Sequence, residues 1–405
     1  MRAGLWLTVA CLAALPLGCG LGWRSPQPPP SAERIAAAAP EAVLSVAPAS
    51  SPAAGPFAAL SGARRVAMSG RLSPLGQGLA SWTELGEPLS RSLEFVSAKP
   101  QQETALQVGG LRLTWGQVGH SLKRLIELLP VLDRLPELLA RHFQWYALNP
   151  APLMTAYYTP EIEASLTRRP GYRHPIYGVP EELAGGSPRR PWLDRRAIDV
   201  RGALKGRGLE IAWAKDPLDV FWLHVQGCGQ LRLPGGSVKR VLYGASNGHG
   251  FTGLGQILCE RGLLAADRLG REHIRRYFER HPRGMRELLA ENRRYIFFRL
   301  ADDEPEGAMG KPLTPLVSLA TDPSLLPLGS VLALEAELPA APASGFAEVP
   351  RPVRGIGLVQ DVGAAIKGLR LDYYIGAGQE AALVADRVRA PATVYLLLSK
   401  EAVTR

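Results

Sequence analysis

GLVQDVGAAIKGLRLDYYIG, residues 357–376, sets two short apolar runs on either side of a Gly-rich connection, with one aspartate in each. Asp361 closes the first run, and Asp372 stands between Leu371 and two tyrosines in the second. Aspartate is a poor strand former, and a carboxylate among apolar neighbours is costly unless something satisfies or uses it. Strand alternation puts Leu371 and Tyr373 on one face and Asp372 with Tyr374 on the other. An acid and a tyrosine on one strand face read either as a solvent-side pair or as the floor of a ligand cleft. Asp361, just ahead of Gly363, reads either as a cap on the following loop or as a partner of Asp372.

The surrounding region has the same texture. Six apolar runs parted by Gly and Pro fill residues 295–405: YIFFRL, PLVSLATD, GSVLALEAEL, RGIGLVQD, LRLDYYIG and ATVYLLL. Their number and spacing predict a small closed β barrel. Upstream, LMTAYYTPEIEASL reads as a strand that Pro160 helps hold extended, and residues 219–233 (DVFWLHVQGCGQLRL) read as two strands around Gly227 and Gly229. VKRVLYGASNGHGFTGLGQILCERG reads as strand, loop, then a helix ended by Gly262. Residues 264–294 read as a basic helical pair broken near Pro282. Leu and Ile at helical spacing in 116–147 predict two or three short amphipathic helices, broken by Pro130 and Pro136.

A chain of 405 residues is long for one compact unit and predicts two domains with non-globular additions. Its 46% apolar content is ample for a buried core. The formal charge of +10 suits any polyanion, but no nucleic-acid motif or basic stripe with interleaved aromatics is present, so nucleic acid is not expected as a partner. Residues 1–19 carry one basic residue, an apolar run from Leu5 to Leu17 and a small-residue end at Cys19. This is the build of an export signal, too short to span a bilayer. Gly18-Cys19 resembles a bacterial lipoprotein signal, with Pro16 where leucine is usual. The Pro/Ala/Ser-rich residues 20–85 read as a tether. Cys11 and Cys19 belong to the signal, which leaves Cys228 and Cys259 as either a disulfide or, preferred, two independent thiols. The seven scattered histidines give no CxxC or HExxH spacing and no metal site.

A third aspartate, Asp322 in LATDPSLLPLG, reads as a turn residue before Pro323 or as a further member of the acid group. At this point the motifs AYYTPEIEA, PIYGVP, FWLHVQGCGQLRL, YGASNGHGFTGLGQIL, LVSLATDPSLLPLG and DVGAAIKG…LDYYIG, in this order over residues 150–400, resemble the membrane-bound lytic murein transglycosylase A family with its three-aspartate domain. The resemblance implies a mainly β fold with a helical N-terminal part. In it a double-psi β barrel carries a second, inserted β domain, and a glycan cleft runs between the two. Domain bounds on this basis are 86–158 for the helical part, 159–294 for the insert with flanking helices and 295–405 for the barrel. Ala364 departs from the family, which usually has a second glycine there.

The family's catalytic aspartate maps onto Asp372, its neighbouring acid onto Asp361 and the third onto Asp322. The implied reaction cleaves the β-1,4 bond between N-acetylmuramic acid and N-acetylglucosamine and leaves a 1,6-anhydromuramyl end. Ordinary glycosidases need two carboxylates, roughly 5–5.5 Å apart for retention or 6.5–9.5 Å for inversion. Here the substrate's own 6-hydroxyl is an internal nucleophile, so one acid acting twice suffices. Tyr157, Tyr158, Trp222 and Tyr374 are candidates for stacking on sugars, with Gln226, Asn247, Asp322 and Lys367 for polar contacts. Trp222 reads equally as core, and SNGHG as a plain turn. No cofactor is implied. The expected partners are peptidoglycan strands and, through a lipid on Cys19, the outer membrane on its periplasmic side, with the protein a monomer. The alternatives are a two-carboxylate hydrolase and a non-catalytic wall-binding protein.

Overall fold

VLALEAEL, residues 331–338, shows how the chain uses its longest apolar runs. Val331 and Ala333 pack into one core, while Leu332 and Leu334 pack into another on the opposite face. A strand buried on both faces needs a continuous apolar run rather than alternation. The computed structural model describes residues 55–186, 188, 190–302, 306–339 and 351–403. All of them fall in one unit, Pro52–Arg405. The export signal, Cys11, Cys19 and the tether up to residue 54 lie outside the described residues.

In chain order the strands are β1 (Phe57–Ala59), β2 (Thr104–Val108), β3 (Leu111–Thr114), β4 (Phe143–Leu148), β5 (Leu153–Thr159), β6 (Glu161–Ser165), β7 (His174–Tyr177), β8 (Glu210–Ala214) and β9 (Gly229–Arg232). They continue with β10 (Val238–Ser246), β11 (Ile296–Ala301), β12 (Ser318–Thr321), β13 (Val331–Leu338), β14 (Arg351–Val362), β15 (Arg370–Ala377), β16 (Arg389–Pro391) and β17 (Thr393–Ser399). A nine-stranded mixed sheet has the order β1-β4-β17-β13-β14-β12-β15-β5-β16, and a six-stranded sheet the order β11-β10-β9-β6-β8-β7. The chain enters the first sheet, leaves between β5 and β6 at Pro160 to build the second, and returns at β12.

Helices α1 (Gly62–Ser69), α2 (Gly86–Ser97), α3 (Trp115–Leu132) and α4 (Glu137–His142) come early in the chain. Leu85, Leu89, Leu122, Leu125 and Leu129 are buried in one core with Phe143 and Trp145 of β4 and with Ile356 and Leu358 of β14. The six-stranded sheet has its own core around Ile162, Ile176, Leu231, Val241 and Phe298. Among the described residues no helix is long and apolar enough to cross a membrane.

Several expectations are corrected. All six C-terminal runs are strands, yet they do not make a closed barrel by themselves: β11 belongs to the other sheet, while β1, β4 and β5 join from far upstream. Among the described residues no ladder joins β1 to β16, the two ends of the strand order. The tether does not run to residue 85, because β1, α1 and later turns occupy residues 57–85. Helix α3 runs through Pro130, whose ring lies at the exposed surface of the last turn while the Leu122–Leu132 stripe stays buried. Residues 143–147 form a strand, with Phe143 and Trp145 alternating inward.

The first half of 219–233 is not a strand but helix α5 (Pro217–Gln226). Val220, Phe221 and Trp222 favour strands, but local start and stop signals override them. The Asp216 carboxylate accepts from Leu218 N at 2.8 Å, Pro217 takes the first helical position, and Gly227 ends the helix at φ +83°. Further on come α6 (Leu254–Glu260), α7 (Arg271–Arg280) and α8 (Met285–Leu289), the last two separated around Pro282 as expected. Cys228 and Cys259 are both free thiols.

Candidate active site

Register brings the two aspartates together. Ala320 of the short β12 faces Asp361 of β14 on one side and Asp372 of β15 on the other. Asp372 in turn faces Thr155 of β5. Residues opposed in a ladder share a face of the sheet, so the four form a row: Asp361, Ala320, Asp372, Thr155. Two strand spacings separate the backbones of the acids, about 9.5 Å, and the small Ala320 lies between them.

A one-residue slip makes this possible. Leu319 pairs with Val359, but Ala320 pairs with Asp361, which leaves Gln360 as the extra residue. A β-bulge re-aims the side chains beyond it. Gln360 turns into the core, donating to Pro88 O and Ser92 Oγ at 2.9 Å each and accepting from Ser318 Oγ. Asp361 is thereby placed in phase with Asp372.

The row opens into a cleft of about 320 Å³ lined from both sheets. Tyr157, Asp361, Arg370 and Asp372 lie on one side, with His224, Gln226, Tyr243 and Arg294 from the six-stranded sheet and its helix on the other.

The two carboxyls differ in environment. Asp361 accepts three hydrogen bonds: Tyr157 OH to Oδ2, and the Ala308 and Val362 N–H groups to Oδ1, each at 2.9 Å. Burial pushes it up to about 6 against those donors, and the charge of Asp372 adds to the rise. Asp372 has one donor, Thr155 Oγ1 to Oδ1 at 2.6 Å. Its Oδ2 has no partner among the described residues. Burial raises its pKa as well, opposed by the Thr155 hydroxyl and by the Arg370 charge. Arg370 also donates to Thr155 Oγ1 at 3.2 Å, which orients the hydroxyl that serves Asp372.

The raised Asp361 pKa has a consequence for stability. Unfolded, the group titrates near ~3.9, so the fold binds its proton more tightly than the unfolded chain does. Stability therefore falls as pH rises from about 4 through 6, by roughly 3 kcal/mol. Asp361→Asn is expected to melt higher than wild type at pH 7.5, with the gap closing toward pH 4. Thermal melts across that range check it.

The expected sugar contacts separate into groups. Tyr157 and Gln226 line the cleft. Tyr374 is buried behind it, its ring 5.2 Å from that of Tyr157 and its hydroxyl 2.8 Å from Thr159 Oγ1. Tyr158 and Trp222 line a different groove of about 960 Å³, where Arg271 lies over both rings. Asp322 caps its own turn, accepting from Ser324 N at 3.0 Å and Gly368 N at 2.9 Å, and these bonds help hold its pKa low. Lys367 is exposed in the β14–β15 connection.

Asn247 is corrected outright. It is fully buried, and its amide donates to Leu193 O and Arg293 O while accepting from Tyr295 N and His249 N. With all its capacity used inside the protein, it has nothing left for a sugar. Thr155 is not singled out by any sequence pattern. A threonine in a strand carries no signal until the register sets it beside Asp372.

Fold and cleft together define a two-sheet protein with an acid pair in the cleft between its sheets. Residues 153–299 match the MltA specific insert domain, and residues 317–398 match the 3D domain. The membrane-bound lytic murein transglycosylase from Agrobacterium tumefaciens superposes with a TM-score of 0.71 at 30% identity, over 86% of this chain and 99% of that one. The chain belongs to the membrane-bound lytic murein transglycosylase A family. The Escherichia coli K12 enzyme of that name is 34% identical over 230 residues, 56% of this chain and 60% of the relative. The Vibrio cholerae relative is 31% identical over 240 residues, 58% of this chain and 62% of its own length. The match thus spans about three-fifths of these curated relatives. E. coli MltA with bound chitohexaose has a TM-score of 0.62 at 25% identity, over 78% of this chain and 90% of that one.

Proposed function

We propose that this protein is a lytic transglycosylase that cleaves peptidoglycan between N-acetylmuramic acid and N-acetylglucosamine. The observation that carries this reading is the inequality of the two acids. Asp361 is held by three donors, whereas Asp372 has one oxygen free toward the cleft. In this mechanism protonated Asp372 gives its proton to the glycosidic oxygen, and the bond to the anomeric carbon breaks. As a carboxylate it then takes the proton from the muramyl 6-hydroxyl, whose oxygen closes on the anomeric carbon. The product is a 1,6-anhydro end, and no water is consumed.

Asp361 is the supporting group in this reading, and Tyr157 and Gln226 contact the sugar. The nine-stranded sheet is taken as the double-psi barrel of the family. Its parallel pairs β12–β14 and β5–β15 among antiparallel neighbours support this. In this reading the barrel takes β1, β4 and β5 together with β12 to β17, and the insert runs from β6 through β11. The chain acts in the cell envelope, exported and held to the outer membrane by a lipid on Cys19, as a monomer on glycan strands. The bound chitohexaose of the E. coli relative supports a glycan ligand.

A two-carboxylate hydrolysis is favoured by one feature: both acids line the same cleft. Mass spectrometry of muropeptides released from purified sacculi separates the two readings. Anhydro ends are expected; reducing ends alone would replace the transglycosylase by the hydrolase. If nothing is released while sacculi are bound, the protein is a wall-binding module.

A further inference from the structure

One side chain of the cleft wall has no part in the chemistry above. His224, near the end of α5, is 5% exposed and lines the same cleft as Asp361 and Asp372. Its ring lies 4.2 Å from that of Tyr295 and stacks on Phe298 at 5.5 Å. Its Nδ1 lies 2.9 Å from a guanidinium nitrogen of Arg195.

Arg195 is itself buried and anchored. It donates to Asn292 O at 3.0 Å, Arg294 O at 2.7 Å and the Asp199 carboxylate at 3.4 Å. A guanidinium has donors only, so Nδ1 of His224 accepts, and in a neutral ring the proton sits on Nε2. Burial and the Arg195 charge hold the imidazole well below its usual pKa, so the ring stays neutral. Nε2 is buried and has no hydrogen-bond partner among the described residues. A protein that fixes a tautomer with a buried Arg and then leaves the resulting donor unpaired has a donor that a ligand satisfies once the cleft wall yields to expose it.

We propose that the Nε2–H of His224 is a substrate donor of the cleft that binds the carbonyl oxygen of an N-acetyl group on the glycan. This rests on the glycan reading above. Among the groups on such a strand, a carboxylate would be costly to bring against two aromatic rings. A hydroxyl would bring a hydrogen of its own needing a partner. An amide carbonyl oxygen brings an acceptor alone. The Arg195 charge one ring away polarises the N–H and keeps His224 out of proton transfer.

The test uses the full chain carrying Asp372→Asn, so that ligand stays uncleaved, with histidine labelled in 15N for NMR. The probe is an N-acetylglucosamine hexamer. Cellohexaose, with a hydroxyl in place of each acetamide, is the control. The expected result is the Nε2–H tautomer for His224 and a signal that moves with the hexamer and not with cellohexaose. In the otherwise wild-type chain, His224→Phe is expected to raise KM on sacculi about tenfold, roughly one hydrogen bond in an apolar site. The shape of the pH–rate profile should stay unchanged. The proposal is overturned by an Nδ1–H tautomer, by a signal unmoved at high hexamer concentration, or by a pH profile that loses a limb. The labelled chain decides the matter even if His224→Phe fails to fold. Anhydro ends from sacculi with an unmoved His224 signal sink the donor alone. A moved signal in a protein that yields no anhydro ends sinks the transglycosylase and leaves the donor standing.

Discussion

Asp372→Asn is expected to lower release of soluble muropeptides from sacculi by about 10²–10⁴-fold, the range for loss of a positioned general acid–base. Asparagine has the shape of aspartate and keeps an oxygen for the Thr155 hydroxyl, so the fold should persist and circular dichroism should match wild type. What it loses is the proton. Wild-type activity should also fall as pH rises, because Asp372 must be protonated for the first step and burial sets its pKa above the ordinary carboxylate value. Asp361→Asn should cost much less, since its role in the proposed reaction is to support rather than to transfer. Near-normal turnover by Asp372→Asn would remove the assignment, and a larger loss in Asp361→Asn would exchange the two roles.

The second large effect is on stability. Gln77 lies in the segment that composition reads as tether, yet it is 2% exposed. Its amide nitrogen donates to Ile356 O at 2.9 Å and to Leu316 O, and its Oε1 accepts from Ile356 N at 2.9 Å. Ile356 thus has its N–H and C=O toward this edge satisfied by one side chain in place of a strand. Gly355 makes room for it: a Cβ there would meet Gln77 Oε1 at 2.0 Å.

Gln77→Leu keeps the size but leaves buried backbone groups unpaired, at ~1–3 kcal/mol each. A net loss of ~3 kcal/mol is expected, read as a lower urea midpoint with an unchanged slope. The effect should exceed that of any exposed substitution in residues 57–85. A variant as stable as wild type would mean that this segment is not part of the folded body.

These cases show what kind of feature sequence makes legible. The alternation in LRLDYYIG placed Asp372 correctly, because side-chain direction in a strand is a local property with period two. Asp216-Pro217 and Gly227 are equally local signals, and these caps, not the β-branched and aromatic residues between them, decide that the segment is a helix. The free donor of His224 is of another kind. Its tautomer depends on Arg195, 29 residues away in sequence, and on Asn292 and Arg294 beyond it. Asn247 carries the converse lesson: a polar residue in a Gly-rich turn looks available, and only its partners show that it is not.

By itself the sequence determined that the C-terminal runs are strands, that residues 357–376 hold two acids around a turn, and through its motifs which family the chain belongs to. Tertiary structure decided which residues meet. Strand order set Asp361 and Asp372 on either side of Ala320, and the slip at Gln360 moved Asp361, rather than its neighbour, onto the face of Asp372. Register is a property of pairs of strands, and a shift of one residue reverses every side chain beyond it. No single strand contains that information, so the two aspartates of the opening stretch become a site only where β12 lies between them.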